Sequence, residues 1–405
     1  MNGQKVAVGL SGGVDSAVSA LLLKRAGFDV VGVHLYCWPP KEEYLDRGSL
    51  IVSEKERDRL RREWIKKNGC RADEDRASAL KTALEIGIPF KELDFSEEYN
   101  SKVIKYFYEE YEAGRTPNPD VLCNSEIKFG LFLDWAIENG FDAIATGHYA
   151  AIVSFNRQCR AQIPLRSSLR GPLARGLLDQ VRLFIPKDKH KDQTYFLWKL
   201  SEKELKHVIF PLGDLLKNEV RKIAKDAGLS VSDKKDSQGI CFVGNVEVRE
   251  FLARRLQKKT GEVVDIEGNV IGEHDGVWFY TVGQRGGWVI DPRIQKLKTS
   301  RTQDGDITPI YYVIRKEAGT NRLVVGDKEK GLKNSFVVSD LNIRDIEKAK
   351  LARIRHGGEL FEVKVSPQDH HLMVKTEKKV FGLASGQSAV FYSDDGECLG
   401  GGVIV

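Results

Sequence analysis

Residues 6–16 read Val-Ala-Val-Gly-Leu-Ser-Gly-Gly-Val-Asp-Ser, a short apolar run that breaks into a glycine-rich turn before the apolar-periodic stretch 17–23. This pattern predicts a strand, a loop and a helix in succession. Gly12 and Gly13 have no Cβ, so their backbone can approach a phosphate closely, and the N–H groups that open the helix point at the anion. The stretch therefore predicts a nucleotide site at the start of an α/β fold.

The loop excludes two common kinds of nucleotide site. It lacks the Lys-Ser or Lys-Thr ending of a Walker A motif and the Gly-x-Gly-x-x-Gly of a dinucleotide-binding loop. Residues 11–16 instead resemble the PP-loop of ATP pyrophosphatases, which hold the β,γ-pyrophosphate of ATP and pass AMP to a substrate oxygen. A tight strand-to-helix turn without a ligand is the alternative. The residues expected at ATP are Gly9, Leu10, Ser11, Gly12, Gly13, Val14, Asp15 and Ser16.

The composition is typical of a globular protein with more than one domain. The chain has 405 residues, of which 41% are hydrophobic and 30% charged, and a net charge of +5. No apolar run approaches the roughly 20 residues that span a bilayer, and the start lacks a secretory signal, so we expect a cytoplasmic protein with no membrane partner. The 6 cysteines are scattered without metal-ligand spacing, which predicts neither a disulfide framework nor a metal site.

Up to residue 245 the sequence alternates strand-like and helix-like segments. This alternation predicts a doubly wound parallel sheet, whose ligands bind at the carboxyl ends of the strands. The strands are predicted at 5–9, 30–36, 90–95 and 143–145, with helices at 76–86 and 98–111 among the segments between them.

From residue 246 onward the pattern changes to short alternating runs broken by glycine turns. The pattern predicts a small β-rich central domain over 246–308 and a C-terminal β-barrel over 309–405, following an α/β domain over 1–245. The β-segments are predicted at 263–271, 278–282, 311–315, 323–326, 361–365 and 388–392.

A second informative segment runs from residue 114 to 129. Pro117 and Pro119 stiffen a loop that brings Asp120 and Cys123 to the start of a helix predicted from Asn124. A thiol near a helix N-terminus has a lowered pKa and is more readily a thiolate. The alternative is a small buried cysteine preceded by an aspartate that caps the helix.

Another cysteine lies in a similar polar loop. Residues 234–242 read Lys-Lys-Asp-Ser-Gln-Gly-Ile-Cys-Phe, so Cys241 has lysines nearby that favour a thiolate or a persulfide. Two loop cysteines behind a PP-loop indicate sulfur transfer.

These motifs together carry a resemblance that covers nearly the whole chain. With these motifs in the order and register given below, the sequence resembles the tRNA-specific 2-thiouridylases. The resemblance implies a PP-loop catalytic domain, a small central domain and a C-terminal tRNA-binding barrel, and replacement of the C2 oxygen of the wobble uridine by sulfur in tRNAs of the glutamate, lysine and glutamine type. The motifs are Ser-Gly-Gly-Val-Asp-Ser (11–16), Thr-Pro-Asn-Pro-Asp-Val-Leu-Cys-Asn (116–124), Ala-Thr-Gly-His-Tyr (145–149), Lys-Asp-Gln-Thr-Tyr-Phe-Leu (191–197), Phe-Pro-Leu-Gly (210–213) and Asp-Ser-Gln-Gly-Ile-Cys-Phe (236–242).

The resemblance also implies the chemistry of individual residues. ATP with Mg²⁺ adenylates the base, and Cys241 carries a persulfide delivered by a sulfur carrier or a cysteine desulfurase. Cys123 then releases the outer sulfur and afterwards forms a disulfide with Cys241, while Asp120 moves protons or polarises the base. Asn118, Pro119 and Asp120 are implied contacts of the flipped base. Leu35 and Gly147 match positions that contact ATP.

Further tRNA contacts are implied in both halves of the chain. His148 matches one of them, with a structural histidine as the alternative. Two departures from the family pattern occur, because His356 stands in place of a tyrosine and Gly286 in place of a lysine. The implied tRNA-contacting residues are His148, Lys191, Asp192, Gln193, Arg355, His356 and Gln387.

Two segments are longer than the family pattern. Residues 39–70 contain the charged, helix-like run 54–67, which is typical of a solvated face. Residues 157–182 hold 6 arginines against a single acidic residue, which suggests either a clamp on the phosphate backbone or a solvated loop. The arginines are Arg157, Arg160, Arg166, Arg170, Arg175 and Arg182.

Three other functions remain as alternatives. An argininosuccinate-synthetase-like ligase would share residues 11–16 but has no need of Cys123 and Cys241. A 4-thiouridine synthase is chemically closer, but we expect no additional N-terminal RNA-binding domain here, since the phosphate loop begins by residue 9. A catalytically inactive tRNA-binding protein would not need the loop and both cysteines together.

Overall fold

The structure is a computed structural model that describes residues 3–45, 53–68, 70–155, 180–235, 243, 247–293, 300–302, 305–307 and 310–405. The chain forms two compact units, each built from three segments. The first unit comprises Met1–Ile104, Pro119–Val246 and Tyr392–Gly400, and the second comprises Lys105–Asn118, Glu247–Phe391 and Gly401–Val405. Within the described ranges, no helix combines the length and the apolar character needed to cross a membrane.

A parallel sheet of five strands forms the core of the first unit. In spatial order its strands are Phe90–Asp94, Asp29–Tyr36, Lys5–Gly9, Ala143–Ala145 and Val208–Ile209. Val6 and Val8 of the central strand are fully buried. The predicted parallel α/β sheet is confirmed, because strands buried on both faces are near-continuous apolar runs in the sequence.

Helices surround the strands of the first unit, and the one that follows the phosphate loop buries most of its length. The predicted helix at 76–86 is confirmed and begins four residues earlier, at Ala72. The predicted helix at 98–111 corresponds to three successive helical stretches, of which the last, Lys105–Glu112, belongs to the second unit. The helices described in the first unit are Val14–Arg25, Glu54–Asn68, Ala72–Ile86, Ser96–Tyr99, Asn100–Ile104, Pro119–Leu122, Cys123–Leu131, Phe132–Glu138, Glu202–Leu205 and Lys217–Asp226, with short turns at Lys41–Glu43 and Thr194–Phe196.

The helix predicted from Asn124 begins earlier, at Pro119. Proline is favoured at the first helical position, because its φ is already helical and its missing N–H would have had no partner there. The helix continues to Glu138 and has the wider π-helical turn over Cys123–Leu131. Cys123 therefore lies inside the helix and Asp120 in its first turn.

The charged run predicted as a helix at 54–67 forms Glu54–Asn68. Most of its side chains are exposed, as expected for a solvated face. Its apolar side buries Ile65 and brings the Trp64 ring to 6.0 Å from the ring of Trp38.

The second unit contains a five-stranded sheet, and the C-terminal strands form a β-barrel. In spatial order the sheet consists of Val289–Ile290, Val270–His274, Gly261–Val264, Arg322–Gly326 and Tyr312–Glu317. The barrel strands follow the order Leu332–Ile343, His371–Phe381, Phe361–Gln368, Leu351–Arg353, Ser388–Tyr392 and Glu397–Ile404, and the last pairs with the first to close the barrel. The remaining described elements of this region are helix Val248–Ala253, strands Ser300–Thr302 and Gly305–Ile307, and short turns at Val277–Phe279, Ala318–Thr320, Lys328–Gly331 and Ile346–Lys348. The predicted barrel is confirmed.

The strand predicted at 278–282 is wrong. Val277–Phe279 forms a single turn of 3₁₀-helix instead. Other groups accept from the backbone donors that the strand would need. The N–H groups of Phe279 and Tyr280 donate to the carbonyls of Gly276 and Val277 at 3.1 and 3.4 Å, and the N–H of Thr281 donates to Gln284 Oε1 at 3.1 Å. Local hydrogen bonds of this kind compete with a ladder.

A hairpin of Ala151–Phe155 and Gln180–Phe184 adds to the first unit and pairs with residues 397–398. Arg182 on this hairpin is buried, and its guanidinium contacts Glu397 at 3.1 Å and Glu202 at 3.3 Å. Its inclusion in an arginine clamp on tRNA is therefore wrong, because a buried guanidinium paired with two carboxylates does not reach a phosphate backbone. The other five arginines of that hypothesis lie outside the described residues.

Candidate active site

The glycine loop joins the central strand to the helix Val14–Arg25. Gly13 occupies the position just before the helix, with extended backbone angles. The Ser16 hydroxyl donates to the Gly13 carbonyl at 3.1 Å and accepts from the N–H of Ser11 at 3.2 Å. The loop is therefore folded back on the first turn of its own helix, where backbone N–H groups and the helix dipole favour an anion.

Two glycines are required by close approach of other backbone to this loop. Gly12 has a φ of +75°, and a Cβ there would lie 2.4 Å from the carbonyl oxygen of Asp75. A Cβ on Gly147 would lie 2.7 Å from the backbone N of Ser16. The structure thus brings Gly147, a predicted ATP-site residue, against the start of the phosphate-loop helix.

Side chains from outside the loop hold its carbonyl groups. His34 Nδ1 lies 2.9 Å from the Leu10 carbonyl, and burial lowers the pKa of His34, so the neutral ring donates this bond. The Gly12 carbonyl accepts from Ser78 Oγ at 2.9 Å and from Lys234 Nζ at 2.8 Å. These bonds set the loop backbone in the geometry that an anion site needs. Leu35 is buried in the neighbouring strand.

Asp15 is the acidic side chain of the loop. Lys217 Nζ donates to its two carboxylate oxygens at 2.8 and 2.7 Å, and the Tyr149 hydroxyl donates to it at 3.0 Å. Lys217 opens the helix Lys217–Asp226, and Tyr149 follows directly after His148. The loop therefore carries a carboxylate whose position is set from two directions.

Sequence reasoning missed four side chains of this site: Ser78, Tyr149, Lys217 and Lys234. Tyr149 lies within a quoted motif, and that motif is the one signal that could have found it. Lys217 and Ser78 lie in ordinary amphipathic helices, where a lysine or serine has no distinguishing pattern.

The predicted catalytic residues lie on the helix that begins at Pro119. Asp120 is half-buried in the first turn, and Cys123 is fully buried. The adjacent Asn124 is held by a bond from its Nδ2 to the Phe196 carbonyl at 3.2 Å. Cys241 lies outside the described residues, so its pairing with Cys123 stays a prediction.

His148 is enclosed in the first unit. Its Nδ1 lies 2.8 Å from Thr146 Oγ1, and its ring is 5.7 Å from that of Phe129 and 6.1 Å from that of Phe210. Burial, and then the charge of Lys128, hold the pKa of His148 well below its usual range. The imidazole is therefore neutral at physiological pH.

The predicted tRNA-contacting run 191–193 lies beside the same segment. Gln193 Oε1 accepts from the N–H of Tyr149 at 2.9 Å, and the Gln193 N–H donates to the Tyr149 carbonyl at 3.0 Å. Asp192 is buried and accepts two bonds from Thr194. Lys191 is half-buried. The structure thus brings Gln193 together with the residue that holds Asp15.

The remaining predicted residues belong to the second unit. Arg355 and His356 are exposed in the turn after Leu351–Arg353, and Asn118 is half-buried at the end of a loop. Gln387 donates from its amide to backbone carbonyls of that loop. Gly286, where the family pattern has a lysine, adopts a φ of +69°, which glycine tolerates and a lysine does not favour.

The parallel sheet and the glycine loop that ends its central strand define the class, an α/β protein with a PP-loop type of nucleotide site. Residues 4–245 match the tRNA methyl transferase HUP domain, 249–327 the tRNA methyl transferase PRC-barrel domain and 335–404 the aminomethyltransferase beta-barrel domain. Relatives named tRNA-specific 2-thiouridylase MnmA, from Streptococcus agalactiae serotype Ia and Streptococcus sanguinis, are each 38% identical over 99% of this chain and 95% of their own length. The chain belongs to the family of the tRNA-specific 2-thiouridylases.

Solved structures show more distant likenesses. A 4-thiouridine synthetase in complex with RNA and ATP is 18% identical over 62% of this chain and 50% of that one, with a TM-score of 0.31. An NMN synthetase from Francisella tularensis is 13% identical over 58% of this chain and 66% of that one, with a TM-score of 0.29. Scores this low carry no argument about function.

Proposed function

We propose that this protein is an ATP-dependent tRNA uridine 2-sulfurtransferase that converts the wobble uridine of tRNAs of the glutamate, lysine and glutamine type to 2-thiouridine. One observation carries the proposal. A preorganised phosphate loop and a helix whose first turns hold Asp120 and Cys123 occur in the same unit, in a chain 38% identical to 2-thiouridylases over 99% of its length. In this proposal 1–245 is catalytic, 246–308 is a small central domain, and the barrel over 309–405 binds tRNA.

The first step makes the uracil oxygen a leaving group. The C2 oxygen of the base attacks the α-phosphorus of ATP, pyrophosphate departs, and the oxygen is left as a phosphate ester of AMP. Residues 11–16 hold the phosphates through backbone N–H groups at the helix start. Gly9, Leu10 and Leu35 lie at the strand ends beside that loop, and Gly147 supports it from the loop that follows the neighbouring strand Ala143–Ala145.

The carboxylate of Asp15 fits a magnesium ion that arrives with ATP. Mg²⁺ in such sites is held by one or two carboxylates and by substrate phosphates rather than by a protein cage. Among the described residues no group of three His, Cys, Asp or Glu side chains forms a metal cage of its own. When bound, the ion neutralises phosphate charge, and Lys217 keeps the Asp15 carboxylate in place.

The second step delivers sulfur. Cys241 carries a persulfide received from a sulfur carrier or a cysteine desulfurase. The Cys123 thiolate attacks the inner sulfur of that persulfide, the outer sulfur leaves as hydrosulfide, and a Cys123–Cys241 disulfide forms. The hydrosulfide adds to C2 of the activated base and AMP departs with the former oxygen. A thiol reductant returns both cysteines to thiols before the next turnover.

The helix start at Pro119 provides the base site. Reaching C2 requires the wobble base to leave the anticodon stack, with Asn118, Pro119 and Asp120 as its contacts. Asp120 moves protons at the base as a carboxylate on a rigid helix turn. The proposed tRNA contacts are His148, Lys191, Asp192, Gln193, Arg355, His356 and Gln387.

The test is direct product detection. The protein is incubated with unmodified glutamate, lysine or glutamine tRNA, ATP, magnesium and a persulfide source, and the digested nucleosides are analysed by mass spectrometry. We expect 2-thiouridine with the wild type, none with Cys123→Ser or Cys241→Ser, and wild-type yield with Cys398→Ala, a matched change at another buried cysteine.

Three outcomes would overturn the proposal in different ways. 4-Thiouridine in place of 2-thiouridine would assign the other thiolating activity. AMP formation without a thiolated base would leave only the adenylating site. Product that survives both serine substitutions would remove the two thiols from the reaction.

A further inference from the structure

The loop that leads to Asn118 is tied to a turn of the barrel within the second unit. The N–H of Thr116 donates to the Ser385 carbonyl at 2.8 Å. In the other direction, Gln387 Nε2 donates to the Thr116 carbonyl at 3.0 Å and to the Pro117 carbonyl at 3.1 Å. One barrel turn thus engages both backbone groups of Thr116 and the carbonyl that follows.

The carbonyls of Thr116 and Pro117 accept hydrogen bonds from the barrel turn because the loop has too few N–H donors of its own. Pro117 and Pro119 have no N–H, so the local backbone offers few donors to satisfy its own carbonyls. An amide side chain that donates both hydrogens to neighbouring carbonyls fixes the peptide planes of Thr116 and Pro117. Those planes set the direction in which the chain enters Asn118.

The barrel turn approaches the loop as closely as backbone can. Gly386 has a φ of +92°, and a Cβ there would lie 3.0 Å from both the backbone N and the carbonyl oxygen of Thr116. At the other end of the loop, Gly114 has a φ of +77°, and a Cβ there would lie 2.7 Å from that of Ala318. Glycine is therefore needed in the barrel turn, against Thr116, and at the start of the loop, against Ala318.

A half-buried lysine lies on the side-chain face of the same loop residue. Lys316 Nζ donates to the Tyr280 carbonyl at 2.9 Å and to Thr116 Oγ1 at 3.4 Å, and it lies 6.0 Å from the centre of the Tyr111 ring. Tyr111 belongs to the helix Lys105–Glu112, which precedes the loop. Lys316 therefore links the end of that helix to Thr116.

We propose that Gln387, Gly386 and Lys316 form a positioning clamp that fixes residues 114–117 and so aims the following residues, Asn118 to Asp120, at the target base. The clamp gives Gln387 a positioning role in addition to its proposed contact with tRNA. It rests on the proposed function, since the geometry it sets is that of the proposed base site. Gln387, Gly386 and Lys316 are positioning residues and touch no reacting atom.

The first test replaces the donor by an acceptor of the same shape. Gln387→Glu places a carboxylate against two carbonyl oxygens, whereas Gln368→Glu makes the same change at an exposed position of the barrel. Single-turnover formation of 2-thiouridine is measured at saturating tRNA, together with the Kd for tRNA. We expect Gln387→Glu to lower the saturated rate about tenfold or more, as misplacement of a reacting group does, whereas loss of a tRNA contact alone would change only the Kd. Gln368→Glu should change neither quantity.

A weaker Kd with an unchanged saturated rate would overturn the clamp and leave Gln387 as a tRNA contact. A second measurement does not depend on the reaction. Alkylation of Cys123 and of Cys398 by iodoacetamide is followed by peptide mass spectrometry without tRNA. We expect Gln387→Glu to raise the Cys123 rate at least about fivefold with Cys398 unchanged, because releasing the loop frees the start of the Cys123 helix.

Equal rises at both cysteines, or none at either, would overturn the clamp, since the first outcome is general loosening and the second shows no effect on the loop. If the wild type forms no 2-thiouridine, the proposed function fails, while the alkylation measurement still decides whether the barrel turn holds the loop. Gln387→Asn, which keeps the donor on a shorter side chain, should recover part of the wild-type behaviour.

Discussion

The phosphate loop and the barrel turn are both glycine-containing turns that control backbone geometry, but they do so in opposite ways. In the phosphate loop, surrounding side chains hold the carbonyls of Leu10 and Gly12, which leaves the turn arranged for a ligand that arrives from outside. In the barrel turn, Gln387 reaches out to hold the carbonyls of another segment of the same chain. The phosphate loop is thus held in place for a ligand, whereas the barrel turn holds the loop that leads to the proposed base site.

The largest effect is expected where backbone approaches the phosphate loop. Gly147→Ala puts a methyl group 2.7 Å from the Ser16 N, so the loop or its helix must shift. We expect tRNA-dependent formation of AMP from labelled ATP to fall about 100-fold or more. Gly319→Ala, at a glycine with nothing within 4 Å of the added Cβ, is the control and should behave as wild type. Comparable activity of the two variants would show that the phosphate loop tolerates displacement.

A smaller loss is expected when the carboxylate of the loop loses its cation. Lys217→Met removes two charge-assisted bonds to Asp15, so we expect AMP formation to fall about tenfold and Lys217→Arg to retain part of it. Lys225→Met, at an exposed position of the same helix, is the matched control. If Lys217→Met keeps full activity, the position of Asp15 does not depend on its ion pair.

Most of the phosphate loop was predictable from sequence, and most of the clamp was not. The loop is a local pattern, because glycines, serines and the following helix are adjacent in the chain and perform their role through backbone. Gln387 and Thr116, which the clamp brings together, are 271 positions apart in the chain, and Asp15 and Lys217 are 202 positions apart. A glutamine in a strand-rich region or a lysine at a helix start has no local signal of such a partner, and tertiary packing alone decides it. For the same reason the bond from Asn321 that holds the N–H of Val277 was not visible, and a strand was predicted at 278–282 where a turn of 3₁₀-helix begins at Val277.

A steric change in the barrel turn tests whether this turn acts separately from the phosphate loop. Gly386→Ala adds a methyl group 3.0 Å from the Thr116 N and O at a φ of +92°. We expect the saturated rate of thiolation to fall roughly fivefold while the Kd for ATP is unchanged. Gly286→Ala has a similar backbone strain, with a φ of +69°, but open space around the added Cβ, and it controls for strain alone. A weaker affinity for ATP in Gly386→Ala would mean that the barrel turn and the phosphate loop are not independent.

The smallest effect concerns stability against pH. Burial lowers the pKa of Lys316 to about 7, below the value of 10.5 for a free lysine, so between these values the unfolded chain binds more protons than the folded one. Stability therefore falls as pH decreases from 10.5 to about 7, by less than about 1.4 kcal/mol per pH unit because the side chain is partly exposed. Urea midpoints at pH 7, 8 and 9 should rise more steeply for the wild type than for Lys316→Met. If the urea midpoints of the wild type and of Lys316→Met rise equally with pH, the amine of Lys316 lies in solvent.

The segment Tyr392–Gly400 carries a consequence for biosynthesis. It belongs to the first unit, where Glu397 pairs with Arg182 and Tyr392 Oη lies 3.1 Å from Thr194 Oγ1, although some 200 residues separate these partners in the chain. The unit that holds the phosphate loop therefore cannot complete its packing until residues 392–400 have left the ribosome. A nascent chain that stops before residue 392 leaves Arg182 without one of its two carboxylates. Translation thus couples completion of the first unit to synthesis of residues 392–400.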